Sequence, residues 1–452
     1  MTQLVVASTL FGAATAASAV DSGLLEHTGG ERVLLVVNNA PAPELTPALD
    51  EIAGAEPVLR RFDRVVHLTD LLAPVHPSDW RPGIRELPTF ERLLRSYWGL
   101  GDGPVELVCE SLWVNPALAL ARVFHAAPIT VYAEGLMSYG PTRDPLPLEV
   151  TQRLDGLVHL DLVPGVRPVL LSEYGVAPTV VPSERFRAVV DEITAEIPDD
   201  RDDDGRPAAV VVGQYLAALG LVTRDEEAEM HARMVRAAAR AGAQVVRFKP
   251  HPSAPPGMVR PLRDAAAEAG VELEVVTDAY PVEVMLARGR HVALVGCFST
   301  ALATARTMFG VRTIAVDTET LLSRLTPFQN SNRVPATVID AVHREDGRYG
   351  DVQRLQELVD TVAYCMQPKS LADRREAAVR VLAELPAQER DRYFLPNRLT
   401  ALDMPGAPKR HPVVALGMST AQRALRHPAL GKLDERTKRL AVRQRLVRRL
   451  YG

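Results

Sequence analysis

Cysteine is scarce in this chain, and its three copies, Cys109, Cys297 and Cys365, form no Cys-x-x-Cys pair. That spacing argues against a disulfide framework or a structural zinc site, and it fits a reducing cytoplasm. Long apolar runs are missing too: nothing approaches about eighteen uninterrupted apolar residues, so no transmembrane helix is expected. No lysine or arginine precedes Arg32. Met1 to Val20 ends in small residues but lacks the basic start of a secretion signal, so it reads as strand, turn and helix. Neither charge is in excess, with 52 Lys+Arg against 56 Asp+Glu, so the whole-chain charge gives no reason to expect a nucleic-acid partner. Gly-x-x-x-x-Gly-Lys-Ser/Thr and Gly-x-Gly-x-x-Gly are both absent, which leaves a P-loop and a nicotinamide dinucleotide site without support. No Asp-x-Asp falls at a strand end. No metal and no resident cofactor is therefore expected.

What is present is one grammar repeated: a short β-branched run, a turn, an amphipathic helix. Strands are predicted at Gln3 to Ala7, Val33 to Val37, Arg64 to Leu68, Val105 to Cys109, Ile129 to Ala133 and Leu157 to Leu160. Helices are predicted at Gly12 to Ala19, Pro47 to Ile52, Pro88 to Trp98 and Pro116 to Phe124. Such alternation implies parallel strands with crossover helices, a Rossmann-like sheet. The run Ile197 to Pro207, dense in aspartate with proline and glycine, reads as a solvated linker. A second α/β series follows, with strands at Ala208 to Val212, Val245 to Lys249, Val271 to Val276, His291 to Val295 and Val311 to Val316. The expected organisation is an N-terminal Rossmann-like domain over 1–196 and a linker over 197–207. A second Rossmann-like domain covers 208–385, and a helical, basic extension covers 386–452. The fold class is α/β, with two parallel-sheet domains facing across a cleft that holds the site.

Three short stretches carry chemistry. Lys249-Pro250-His251-Pro252 ends a strand with an imidazole between two prolines, each of which fixes its own φ and biases the residue before it. Gly296-Cys297-Phe298-Ser299-Thr300 ends another strand with a glycine and two hydroxyls just before a helix. That offers orphan N–H groups and hydroxyl donors to a phosphate, or simply an N-cap on Ser299. Glu283, behind Pro281, opens a helix and is placed to accept from ribose hydroxyls. In the first half, Tyr132-Ala133-Glu134-Gly135 puts a carboxylate at a strand end, where it serves as a general base, a cap or a buried ion-pair partner. Glu110, at another strand end, is its foremost rival.

An acid-Gly element, a Lys-Pro-His-Pro stretch and a Ser-Thr pair, in this order, resemble the bacterial sialyltransferases and most of all the bacterial polysialyltransferase (alpha-2,8-polysialyltransferase) family. The resemblance implies a GT-B fold and an inverting glycosyltransferase that moves sialic acid or a related nonulosonic acid from a CMP-activated donor to a cell-surface glycan. It implies Glu134 near the catalytic base and His251, with Lys249 beside it, on the departing CMP phosphate. Ser299 and Thr300 would bind that phosphate, Glu283 the cytidine ribose, Gly213 and Gln214 the pocket wall, and Gly135 and Tyr139 the acceptor side. The chain departs from the family pattern at Ala133, where a first acid is usual. The rival readings are a CDP-glycerol or teichoic-acid type transferase, which shares the histidine-proline and Ser/Thr elements, and a catalytically silent glycan-binding protein.

From Pro405 the chain turns basic, with Asp434 and Glu435 as the acids among many arginines and lysines. Leu433, Leu440, Val447 and Tyr451 stand near helical spacing. An amphipathic basic helix over 405–452 would meet an anionic membrane surface at the inner face of the cell membrane, or an acidic polymer. A nucleic-acid partner finds no interleaved aromatic residues to support it.

Overall fold

A computed structural model describes residues 1–27, 29–198, 205–251 and 259–408. The aspartate-rich centre of the linker, Pro252 and the prolines that follow it, and the basic stretch from Lys409 lie outside the described residues.

Two wholly parallel sheets form the body. The first has seven strands: β1 (Thr2–Ala7), β2 (Arg32–Val36), β3 (Arg64–His67), β4 (Val105–Cys109), β5 (Ile129–Ala133), β6 (Leu154–Leu160) and β7 (Pro178–Val181). Their order is β3-β2-β1-β4-β5-β6-β7. The second has five: β8 (Ala208–Val212), β9 (Val245–Lys249), β10 (Glu272–Val275), β11 (His291–Gly296) and β12 (Thr313–Ala315), in the order β10-β9-β8-β11-β12. The central strands β1 and β8 are near-continuous runs of buried apolar residues, as strands covered on both faces must be.

Alternate residues feed two apolar layers in the first domain. Val5, Ala7, Leu34 and Val36 point to one cluster, and Leu4, Val6, Val33 and Leu35 to the other. Each such fully buried side chain contributes about 2 kcal/mol of hydrophobic stabilisation. The first cluster runs on without a break into the second domain through Phe186, Val189 and Ile193 of helix Ser183–Glu196, which packs on helix Leu10–Asp21 and on helix Val282–Arg288. Helix Leu10–Asp21 buries five alanines, and side chains that small let it lie close to the sheet.

Two elements depart from the sequence expectation. Pro47 to Ile52 is no α-helix; 3₁₀ turns at Pro43–Leu45 and Leu49–Glu51 occupy this region, because short proline-bearing pieces cannot sustain i→i−4 bonds. The edge strand β7 was not anticipated. It begins with a proline and exposes Thr179 and Val180, so it carries no apolar run.

Beyond the second sheet, helix Val352–Met366 and its successors bind back to the first domain. Gln356 accepts from Arg167 N at 2.7 Å, Gln367 Nε2 donates to Arg143 O at 2.6 Å, and Arg374 Nη2 donates to Ser172 Oγ at 3.0 Å. Helices Ala387–Tyr393 and Pro396–Leu402 close the described chain. Among the described residues no helix is long and apolar enough to cross a membrane.

Candidate active site

In open α/β sheets ligands gather at the carboxyl ends of strands where the order reverses. In the first sheet that point lies between β1 and β4; in the second it lies between β8 and β11. Glu110 leaves β4 and the Gly296 to Thr300 turn leaves β11 at these points, Glu134 and the histidine-proline stretch leave the neighbouring strands β5 and β9, and the two carboxyl edges meet. Thr300 Oγ1 accepts from Leu136 N at 3.3 Å, and it lies 3.1 Å from where a side chain on Gly135 would begin. The acid-Gly element of one domain therefore touches the Ser-Thr turn of the other.

On the first-domain wall, Glu134 follows β5 and Glu110 follows β4. Both carboxylates gather over the start of helix Leu10–Asp21. Thr9, its N-cap, accepts from Gly12 N at 2.9 Å and donates its own proton to Glu134 Oε2 at 3.2 Å. Glu110 accepts from Ser8 Oγ, and its other oxygen lies 3.4 Å from the Tyr132 hydroxyl. A Cβ on Gly12 would stand 2.7 Å from Glu134 Oε2 and 3.0 Å from Glu110 Oε2. Only glycine leaves room there for both oxygens. Loss of solvent, with the Glu110 charge and then that of Glu283 behind it, pushes Glu134 up to about 8. Burial likewise raises Glu110. Ala133 points the other way, into the opposite apolar layer.

Tyr139 and Gly135 part company here. Gly135 lies at the interdomain contact. Tyr139 is fully buried, and its hydroxyl accepts from Val163 N at 3.0 Å, which places it in the core beneath the site.

On the second-domain wall, the loop after β8 is held from below by helix Arg224–Arg240. Thr223 and Glu226 start that helix with a capping box. One turn apart on its buried face, Glu227 accepts from Leu216 N and His231 Nε2 accepts from Gln214 N at 2.9 Å. Gln214 is 6% exposed and its amide donates to Gly213 O at 3.3 Å, so this residue supports the loop from inside. Gly213 receives the histidine-proline turn: a Cβ there would meet Phe248 Cζ at 2.9 Å, Pro250 Cα at 3.1 Å and His251 N at 3.3 Å. Tyr215, carried on the same loop, lies against the His251 ring with centroids 4.0 Å apart. Burial holds His251 down at about 4, so its imidazole is neutral at neutral pH.

Lys249 Nζ donates to Asp278 O at 2.7 Å and rides 5.0 Å from the Tyr280 ring centroid. Glu283 is 3% exposed and accepts from Thr304 Oγ1 at 2.7 Å; burial raises it, while Thr304 and Lys249 work against that rise. Ser299 caps helix Thr300–Thr307, accepting from Ala301 N at 3.3 Å. The structure thus brings Glu134, Gly135, Thr300 and Ser299 to one seam, leaves Lys249 and His251 half-buried on the second-domain wall with Gly213 buried beneath the histidine-proline turn, and sets Gln214, Glu283 and Tyr139 below the surface. Sequence reasoning missed His231, Glu227, Tyr215, Thr9 and Gly12. The buried polar pair at i, i+4 on an otherwise amphipathic helix was the one signal available for the first two.

Two Rossmann-like parallel sheets facing carboxyl edge to carboxyl edge, with acids on one side and an imidazole and hydroxyls on the other, define an enzyme of the GT-B glycosyltransferase class. Comparison with protein families is more specific. The chain belongs to the alpha-2,8-polysialyltransferase (POLYST) family, which it matches over residues 3–318. It is a glycosyltransferase, and the family implies a nucleotide-sugar donor and a glycan acceptor.

No curated protein matches the chain. Among solved structures it is similar to MurG of Acinetobacter baumannii, with 10% identity and a TM-score of 0.37 over 83% of this chain and 94% of that one. It is similar to the GT-B domain of a sialyltransferase from Photobacterium damselae, with 11% identity and a TM-score of 0.39 over 74% and 95%. A glycosyltransferase from Rickettsia africae shows 10% identity and a TM-score of 0.36 over 85% and 99%.

Proposed function

We propose that the chain transfers a nonulosonic acid, such as sialic acid, from a CMP-activated donor to a hydroxyl of a glycan acceptor, with inversion at the anomeric carbon and without a metal. The observation that supports this most is the bond from Leu136 N to Thr300 Oγ1, which sets the carboxylate wall against the phosphate-binding turn. In this reading Glu134 takes the acceptor proton as its oxygen attacks the anomeric carbon from the face opposite the nucleotide. The bond to the phosphate oxygen breaks and CMP leaves. Lys249, the neutral His251 imidazole, the Ser299 hydroxyl and the start of helix Thr300–Thr307 stabilise its charge. Glu283 serves the ribose once nucleotide binding opens a path to it. The basic stretch from Pro405 supports, by its sequence, placement on anionic lipid at the inner membrane face, where a surface glycan would be extended.

Thermal unfolding in the presence of CMP, CDP, UDP, GDP and ADP tests the donor. A ligand that binds the folded state alone raises the melting temperature, by about 2.7 kcal/mol of stabilisation at a hundred times its Kd. CMP should do so selectively in the wild type, and His251→Ala should reduce that shift and slow release of CMP from a CMP-nonulosonate. Stabilisation by CDP, UDP, GDP or ADP in place of CMP, or a His251→Ala protein that behaves as wild type, would reject the assignment.

A further inference from the structure

The transfer reading gives Glu110 no task, yet its charge acts on Glu134 more strongly than that of Glu283. Both Glu110 Oε2 and Glu134 Oε2 lie within 3.0 Å of a single point above Gly12, so the two oxygens are less than about 6 Å apart. Glu110 accepts from the hydroxyl and the backbone N–H of Ser8, and Glu134 accepts from the Thr9 hydroxyl at 3.2 Å. The Tyr132 hydroxyl donates to Val6 O at 2.8 Å and makes a longer contact, 3.4 Å, to Glu110 Oε2 that works against the rise in Glu110. No arginine or lysine among the described residues pairs with the two acids.

The remaining groups around Glu134 do not neutralise the pair. Helix Leu10–Asp21 presents Thr9 and its positive end, worth a fraction of a charge. Helix Val282–Arg288 presents another acid, Glu283, which raises Glu134 further. Next to β5, β6 brings His159, which is buried and bonded to Leu160 O at 2.9 Å, and whose proton affinity burial lowers. Two carboxylates this close, half-buried and without a cation, share a proton.

We propose that Glu110 is a positioning residue for the transfer reaction, holding one proton in common with Glu134 and keeping Glu134 a strong acceptor for the incoming hydroxyl proton. This rests on the transfer reading above, in which Glu134 is the base. In the reactive state the shared proton has left to solvent, both carboxylates are ionised, and the Glu110 charge raises the proton affinity of Glu134. The acceptor O–H proton passes to Glu134 as the new C–O bond forms and the bond to CMP breaks. The proton then leaves to solvent. Glu110 replaces in function the acid missing at Ala133, from a different strand.

The test is Glu110→Gln, which removes the charge and keeps an acceptor for Ser8, with Glu110→Asp as the charge-retaining control. CMP release from a CMP-nonulosonate in the presence of acceptor is followed against pH, and the ¹³C-labelled glutamate carboxyls are titrated by NMR in the full-length protein. The acid limb of kcat should move down by about one pH unit or more in Glu110→Gln, the plateau rate should fall, and Glu110→Asp should restore the limb. In the wild type the two carboxyls should titrate in linked steps, and Glu134 should return toward the ordinary carboxylate range in Glu110→Gln. An unmoved limb with independent titrations overturns the proposal. So does loss of turnover in Glu110→Gln with turnover retained in Glu134→Gln, since Glu110 would then be the base itself. If no CMP-sugar turns over at all but the carboxyls titrate as a linked pair, the transfer reading fails while the shared proton stands. The wild-type titration decides the coupling even if Glu110→Gln fails to fold.

Discussion

Replacing Gly12 with alanine separates stability from catalysis at this site. Gly12 is the third residue of helix Leu10–Asp21, and its φ is not in the left-handed region, so alanine fits the backbone. In a helix alanine is favoured over glycine by about 1 kcal/mol, which in a protein of this size raises the melting temperature by about 1 °C. The new methyl group, however, would stand 2.7 Å from Glu134 Oε2 where ordinary contact begins at 3.4 Å, so that carboxylate must retreat by about 0.7 Å. Glu110 Oε2 and Thr9 Oγ1, at 3.0 and 3.1 Å, must give by less. All three are ends of side chains, so the helix yields nothing and the carboxylates move. A displacement approaching 1 Å at a reacting group costs up to about a hundredfold in rate. The expected result is CMP release slowed by about ten- to a hundredfold with the melting temperature unchanged or slightly raised, measured on the same preparation. Wild-type turnover would show that the carboxylates are not held at the reacting position, and a melting temperature several degrees lower would show that they are packed too rigidly to yield.

Two further outcomes follow from buried groups away from the cleft. His231 is fully buried and held down at about 4, whereas the unfolded chain takes up its proton near 6.5. Between those values the unfolded state binds more protons, so stability falls as pH drops from 6.5 to 4, by about 3 kcal/mol in all. Glu134 titrates in the opposite sense across part of this range, so the readout is the difference between wild type and His231→Leu in urea unfolding from pH 7.5 to 5. A pH response of the same size in both proteins would refute the assignment. Arg392 forks onto the buried Asp340 through Nε at 2.6 Å and Nη2 at 2.7 Å, and latches helix Ala387–Tyr393 to helix Arg333–Val342. Arg392→Leu strands that carboxylate with Tyr393 as a remaining donor and should cost about 3 kcal/mol in denaturant unfolding; a loss under about 1 kcal/mol would mean the latch contributes little.

The sheets were legible because a parallel strand buried on both faces must be written as an unbroken apolar run. Leu4-Val5-Val6-Ala7 and Ala208-Ala209-Val210-Val211-Val212 can hardly be read otherwise. Edges are written differently, and β7 escaped notice for that reason. The region around Pro47 misled because four or five residues show apolar spacing without the length a helix needs. Motif residues were legible in kind, as acids, hydroxyls and an imidazole at strand ends. Their exposure was not. Glu283 looked like a free carboxylate behind a proline, but a threonine 21 residues later in the chain closes over it, and only the packing of helix Thr300–Thr307 on helix Val282–Arg288 reveals that.

The acid pair shows the physical limit of reading one strand at a time. Along a strand, successive side chains face opposite ways. Tyr132 lies in the layer that holds helix Leu10–Asp21, and Ala133 lies in the opposite layer. Glu134 returns to Tyr132's side. An acid at position 133 on this backbone would therefore face away from Glu134, whatever it does in relatives that carry one. A second carboxylate can join Glu134 only from a neighbouring strand at the same depth. β4 lies beside β5 and β1 beside β4, so the residues that follow β4 and β1, Glu110 and Ser8 with Thr9, arrive on that face together. With alanine at 133, two carboxylates still stand together on this wall. Strand order, not the sequence of β5, places Glu110 beside Glu134, where a side chain at 133 could never reach.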